Sequence, residues 1–336
     1  MRITTNALLR NYKNNLATTI NNLNNSRTHV MTQRSFNSVA EDPFSAARAS
    51  QLHRKYYSNQ DNLDMLKDVQ SRQDGQEDSL RQVSDILKTI SKEYNVQAMN
   101  GTNQTKETRQ SYASAIRQFQ KSMVLSLNST YEDTFLFAGT DGSNPPFTLS
   151  DSGTLTYRGI DVNAANGTAD YSTLYSYSKE NLYVDLGMGL SLDDSNQVIP
   201  SSAFNLSLPG IKAIGFGKDE DGMSNNAIVL AGQLADALEA EEFDSDSYRE
   251  LMGKFETLST GLLNQVTELG VKSSFLTTTK DRLENTEISL QEQMESVEGI
   301  DMAEAITNYM WNQYAYNAAL KVGTSILSPS FIDFMK

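Results

Sequence analysis

Residues 131–147 read YEDTFLFAGTDGSNPPF, and the fold turns on what this stretch is. No proline occurs between Pro43 and Pro145, and the intervening sequence is polar with helical spacing; glycines, prolines and short alternating runs follow. A glycine loop cradling a phosphate is one reading of FLFAGTDG. Gly139 and Gly142 are only three apart, however, and no lysine follows them, so the phosphate-binding spacing is absent. The better reading is a boundary at which long helices stop and a different segment is inserted. Tyr131 closes the third helical stripe, and Phe135 and Phe137 pack at the junction. Gly139 permits the turn, and Pro145 and Pro146 prevent the helix from resuming. We expect these five residues, Phe135 to Pro146, to act as a hinge.

Working outward, the chain is concentric in character. Leu9, Tyr12, Leu16, Leu23 and Val30 occupy one heptad frame, with Thr19 and Ser26 as polar members. Asn, Thr and Ser form helices poorly, so this segment is expected to be marginal until it packs on something. Asp42 before Pro43 is a helix-start signal, since Asp caps free N–H groups and Pro suits the first helical position. Helices are expected from there to Tyr94, and again from Tyr112 to Tyr131. The segment 140–223 holds most of the prolines and alternates at period two over Thr154–Arg158 and Thr173–Tyr177, which reads as strands. Helical spacing returns at Ser224, and its longest stripe runs from Leu251 to Leu290. A last stripe places Ile306, Tyr309, Gln313, Tyr316, Leu320, Gly323 and Leu327 in one frame, ended by Pro329 before an apolar tail with Phe331 and Phe334.

The fold class expected is therefore mainly α with a β-rich insertion: an elongated antiparallel helical bundle or coiled-coil rod formed by both chain ends, with a small central β domain. Three domains are expected: 1–42 with 300–336, 43–139 with 224–299, and 140–223.

Composition narrows function by exclusion. The 336 residues carry 28 basic and 42 acidic side chains, a net charge of −14, and no basic run offers phosphates a footing, so no nucleic-acid partner is expected. The first acidic residue is Glu41, so the opening forty residues are mildly basic and the rest is acidic. Cysteine is absent, which removes disulfides, thiolate metal sites and thiol nucleophiles. Neither an apolar signal-peptide core nor a membrane-spanning run is visible. His29 and His53 each sit alone in helical sequence, and Asp219–Gly222 lacks the spacing of a calcium loop. No catalytic, cofactor or metal site emerges, and the expectation is a protein that is not an enzyme.

The segments MRITTN (1–6), SVAEDPFSAARAS (38–50), the opening stretch, LTYRG (155–159) and residues 300–336 together resemble the flagellin superfamily, in order. Glu41-Asp42-Pro43 and FLFAGT…PPF resemble its hook–filament junction branch, whereas filament flagellin has Ala-Ala-Gly after the acidic pair. Gln33-Arg34-Ser35-Phe36 departs from the Gly-Lys loop often found there. The resemblance implies a structural protein of the bacterial flagellum, extracellular and exported by the flagellar type III apparatus. It implies as partners copies of itself, the hook-side junction protein, filament flagellin and an export chaperone, with no membrane insertion. A filament flagellin with a small outer domain is the alternative. The assembly interface expected combines Leu9, Tyr12, Leu16, Leu23 and Val30 with Ile306, Tyr309, Tyr316, Leu320, Leu327, Phe331 and Phe334, its helices folding only on assembly.

Overall fold

The computed structural model describes the backbone of residues 2–99 and 105–332, and the side chains of 6–99 and 105–326. The chain is mostly helical, with short antiparallel strands in its middle. Helix α1 is Arg2–Thr32 and α2 is Pro43–Thr89. One π turn, Ile90–Tyr94, leads into α3, Asn95–Met99, and α4 is Lys106–Leu127. After the strands come α7 (Ala227–Glu239), α8 (Ser245–Glu298) and α9 (Met302–Ile332). Two compact units result: residues 1–60 with 284–336, and residues 61–283.

Asp42 starts α2 as its sequence suggests, its Oδ1 accepting from the N–H groups of Phe44 (3.1 Å) and Ser45 (3.0 Å). At the other end of the connector Gln33 adopts φ +58°, the left-handed region that glycine favours.

The unit 61–283 holds the larger core. Leu80, Val83 and Leu87 of α2, Ile116 and Met123 of α4, Ile228 and Leu234 of α7, and Phe255 and Leu262 of α8 share one buried cluster. That cluster continues without a break into the inserted segment through Phe137, Phe147, Tyr157, Leu174 and Ile211. The expected boundary at 139/140 thus falls inside one packed core. Within the insertion, β3 (Phe147–Leu149), β4 (Leu155–Tyr157) and β5 (Ile160–Asp161) form an antiparallel sheet in that order, with Phe147 opposite Tyr157 and Tyr157 opposite Ile160. Two further pairs, β1–β2 (Thr130–Tyr131 with Thr134–Phe135) and β6–β7 (Tyr183–Val184 with Phe204–Asn205), are two residues long.

Strands this short cannot satisfy their backbone by pairing alone, so side chains finish the work. The Asn128 amide receives the Phe147 N–H (3.0 Å) and donates to the Phe147 carbonyl (2.8 Å), as a neighbouring strand would. Asp185 gathers the N–H groups of Gly187, Met188, Gly189 and Leu190. Glu180 binds Arg158 at 2.8 Å and the Thr140 N–H at 2.9 Å, and the Arg158 guanidinium lies 4.0 Å above the Tyr177 ring centroid.

Three expectations are corrected. Residues 173–177, read as a strand, lie in α5 (Ala169–Ser178), because Thr168 caps the first turn by accepting from Tyr171 N. Alternation over five residues is compatible with one turn of helix, and the cap decides. Tyr131 does not close the third helix, which stops at Leu127, but belongs to β1. The last helix is not ended by Pro329 and runs to Ile332.

Asn226 is fully buried, caps α7 through the N–H groups of Ile228 and Val229, and donates to the Gly215 carbonyl. Asn226→Ala should cost about 2 kcal/mol, measured by denaturant unfolding, since it removes a buried cap and a half-buried carbonyl's hydrogen-bond donor. Burial raises the Asp185 carboxyl, but its four backbone N–H bonds outweigh that and hold it below the usual carboxylate value. Its contribution is therefore present above the unfolded value and lost as pH falls through the lower folded one. The stability difference between the parent chain and Asp185→Ala should shrink on acidification through that range.

Candidate functional site

The two chain ends meet in one seam. On α1 the residues least exposed are Leu9, Tyr12, Leu16, Thr19, Leu23, Ser26 and Val30, a continuous heptad row in an otherwise exposed helix. This row packs on α9. The helices are antiparallel: the Tyr12 hydroxyl donates to the Ala319 carbonyl (3.2 Å), and Asn312 Nδ2 donates to Ser26 Oγ (3.0 Å). Ser26 passes its own proton back to the Asn22 carbonyl, 2.8 Å away. The polar members of the row are thus hydrogen-bonded, which fixes register where apolar packing alone would slide.

The α9 side of the seam differs in part from the expected set. Tyr309 and Tyr316 lie on it, but Ile306 is 45% exposed and Leu320 is 42% exposed. Ala305, Asn312 and Ala319, each one residue earlier than the expected Ile306, Gln313 and Leu320, take those places. The physical reason is backbone proximity: Ala305, Ala319 and Gly323 are small and let the helices approach. A Cβ on Gly323 would stand 2.6 Å from Tyr12 Cζ. Leu327, Phe331 and Phe334 lie outside the residues described with side chains.

Beside the seam, α9 presents Ile306, Met310, Trp311, Tyr314, Leu320 and Val322 to solvent. Its apolar residues surround the helix axis, whereas α1 covers one flank only. Helices apolar all round are buried on all sides in their working state. The sequence reading missed Trp311, 69% exposed and the chain's one tryptophan, although its rarity was a visible signal.

A polar clasp closes the same unit. The Glu298 carboxylate, 14% exposed, takes His53 Nε2 at 2.6 Å and Arg34 at 3.5 Å, while its carbonyl accepts from Ser35 N at 2.7 Å. Arg34 also bridges to Gly299. His29 Nδ1 lies 2.8 Å from the Arg34 carbonyl and so must donate to it. His29 therefore holds the α1–α2 connector, and His53 ties α2 to the end of α8. Among the described residues no three His, Asp or Glu side chains gather as a ligand set.

The expected hinge residues lie in the other unit. Phe137 is fully buried, and its carbonyl receives the Tyr157 hydroxyl (3.0 Å) and the Gly210 N–H (2.8 Å). Phe135 is half-buried in β2, Gly139 adopts φ +71°, Pro145 is exposed and Pro146 buried.

The fold and the paired ends define a class: a mainly helical chain whose first and last helices pack together, with a small antiparallel-strand region between them. Residues 3–141 match the bacterial flagellin N-terminal helical region, and residues 252–328 match the bacterial flagellin C-terminal helical region. The chain belongs to the flagellin family, structural proteins of the bacterial flagellum. Its fold is similar to that of a putative flagellar hook-associated protein from Vibrio parahaemolyticus, with TM-score 0.59, 16% identity, and coverage of 77% of this chain and 100% of the other. It is also similar to flagellar hook associated protein-3 from Legionella pneumophila, with TM-score 0.50, 11% identity, and coverage of 74% and 98%. Among curated protein sequences none matches.

Gly323→Ala should force Tyr12 out of the seam and break its bond to Ala319. Hydrogen exchange over residues 6–30 should then rise, while exchange over 61–283 stays unchanged; unaltered protection of α1 would contradict the close-approach argument.

Proposed function

We propose that this chain is the structural piece that joins the flagellar hook to the filament, without enzymatic activity. The observation that carries the reading is α9, which bears apolar side chains on every face while its own chain covers one. Burying the remainder needs neighbours on several sides, which a tubular assembly supplies and a free monomer does not. The hook-associated relatives named above favour the junction over the filament itself, as does the Glu41-Asp42-Pro43 sequence with its Asp42 cap.

On this reading the partners are further copies of the chain, the hook-side junction protein and filament flagellin, and the site of action is extracellular. Export proceeds through the flagellar type III apparatus, with a chaperone covering α9 until assembly. The interface combines Leu9, Tyr12, Leu16, Leu23 and Val30, which hold the seam, with Ile306, Tyr309, Tyr316 and Leu320. The outward pair, Ile306 and Leu320, meets other subunits. Leu327, Phe331 and Phe334 complete the proposed interface set. The segment Phe135–Pro146 serves as the turn by which the chain leaves the long helices and enters the inserted strands.

A strain deleted for this chain should make hooks, lack filaments and shed flagellin into the medium. Filaments of normal length in that strain would refute the junction role. Spontaneous growth of long filaments from the purified chain would instead identify a filament flagellin.

A further inference from the structure

Helix α9 carries a second heptad row beside its seam. Glu304, Asn308, Trp311, Ala315, Ala318 and Val322 follow alternating four- and three-residue steps, and all six are exposed. Each precedes a seam residue by one position, so the row lies about 100° round the helix from the seam. Helix α1 carries a matching row one position after its own seam: Arg10, Lys13, Ala17, Ile20, Asn24 and Arg27, again all exposed. In an antiparallel pair these opposite offsets place the two rows on opposite sides. The surface agrees: Trp311 and Asn308 share a groove with Asn22 and Asn25, whereas Arg27 and Met31 share another with Tyr309. No copy can bring its own two rows together.

We propose that the α1 row of one copy docks on the α9 row of a second copy, in antiparallel register, with Ile20 against Trp311. This rests on the assembly reading above and names its contact. Residue numbers that sum to 331 or 332 then meet along the whole length. Arg27 faces Glu304, Asn24 faces Asn308, Ile20 faces Trp311 and Ala17 faces Ala315. Four of the six levels match chemically: opposite charges, two amides that both donate and accept, two large apolar groups, and two small residues that let the backbones approach; the remaining two set Lys13 beside Ala318 and Arg10 beside Val322, where the long basic side chains lie along small or apolar neighbours.

Charge complementarity selects the occupant. Residues 2–32 contain four basic side chains and no acidic one, while the α9 row begins at Glu304. An α9 row from the second copy would offer its own Glu304 and no cation in the row. The groove of ≈ 410 Å³ beside Trp311 is lined by Asn22, Asn25 and Asn308, amides suited to the Asn-rich α1 rather than to the apolar α9. The ion pair fixes register more than affinity, since exposed pairs contribute little; the desolvated Trp311 is the anchor. Different surfaces meet in this contact, so it does not close on two copies and adds further ones in an open series.

The absence of cysteine makes the test direct. Full-length Asn24→Cys and Asn308→Cys chains are mixed, concentrated in a sulfate salt that favours burial, and oxidised. A disulfide-linked dimer should form, together with a blue shift in the emission of the single tryptophan. Asn24→Cys mixed with Gln313→Cys, on another face of α9, should not cross-link. Adding Arg27→Glu to the first chain sets two carboxylates against each other and should reduce cross-linking at least about tenfold, and Glu304→Arg in its partner should restore it. Assembly without the 24–308 cross-link, or cross-linking indifferent to the charge reversal, overturns the proposal and leaves the hook–filament reading standing. Cross-linking by chains whose deletion strain still grows filaments keeps this contact and removes that reading instead.

Discussion

Helix α9 has more apolar surface than its own chain can cover, and the organisation of the chain ends follows from that constraint. Its principal partner among the described residues, α1, is mostly polar outside the seam. Burying a large apolar side chain contributes roughly 1.5–3 kcal/mol, whereas ordering backbone costs about 1–2 kcal/mol per residue. Along α1 only about two residues in seven reach the seam, and several of those are Thr or Ser. One seam alone therefore falls short of the cost of ordering α1. Neighbours that covered the remaining faces of α9 would add burial without further ordering of this chain's own helices. Weak helix formers in α1 suit this arrangement, because a strongly self-sufficient α1 would leave nothing to be decided by assembly.

The unit 61–283 is organised on the opposite principle. It buries a large apolar cluster of its own, including Leu80 and Phe255, and completes its backbone with dedicated polar side chains. Asn128 stands in for a strand, Asn226 caps α7 and also closes onto Gly215, and Asp185 collects a turn's worth of N–H groups. Gly210 shows how tight the fit is, since a Cβ there would stand 2.5 Å from the Phe147 ring. Strands of two or three residues survive here because packing and amide caps replace the long ladders that would otherwise hold them.

Much of this was legible in the residues. The Asp42-Pro43 start and the α1 heptad row depend on local chemistry and hold in the structure, whereas the third helix stops at Leu127, four residues before the expected Tyr131. The α9 frame was half legible for a specific reason. A heptad is chosen by looking for apolar residues, and a helix apolar all round offers several equivalent frames. Ile306 and Leu320 look better than Ala305 and Ala319, yet the small residues win because a close seam needs room for Tyr12. The helix over 173–177 was hidden by a run too short for periodicity to discriminate. The clasp at Glu298 could not be read at all, since its members, Arg34, His53 and Glu298, are brought together only by folding.

That clasp gives the paired ends their mechanical meaning. Arg34 and Ser35 leave α1, Glu298 and Gly299 lead into α9, and the two connectors are tied by a strand-like bridge, a backbone bond and a shared carboxylate. His53, from the start of α2, reaches the same carboxylate. Fixing both connectors at one point sets the axial stagger of α1 on α9. Register is thus imposed from one end by polar bonds, and from within by Ser26 with Asn312 and by Tyr12 with Ala319. A chain that must present identical helix pairs to its neighbours needs that redundancy, because an apolar α9 alone would accept α1 in several staggers of similar energy. The polar groups cost stability in each copy and in return make every copy the same shape to the next.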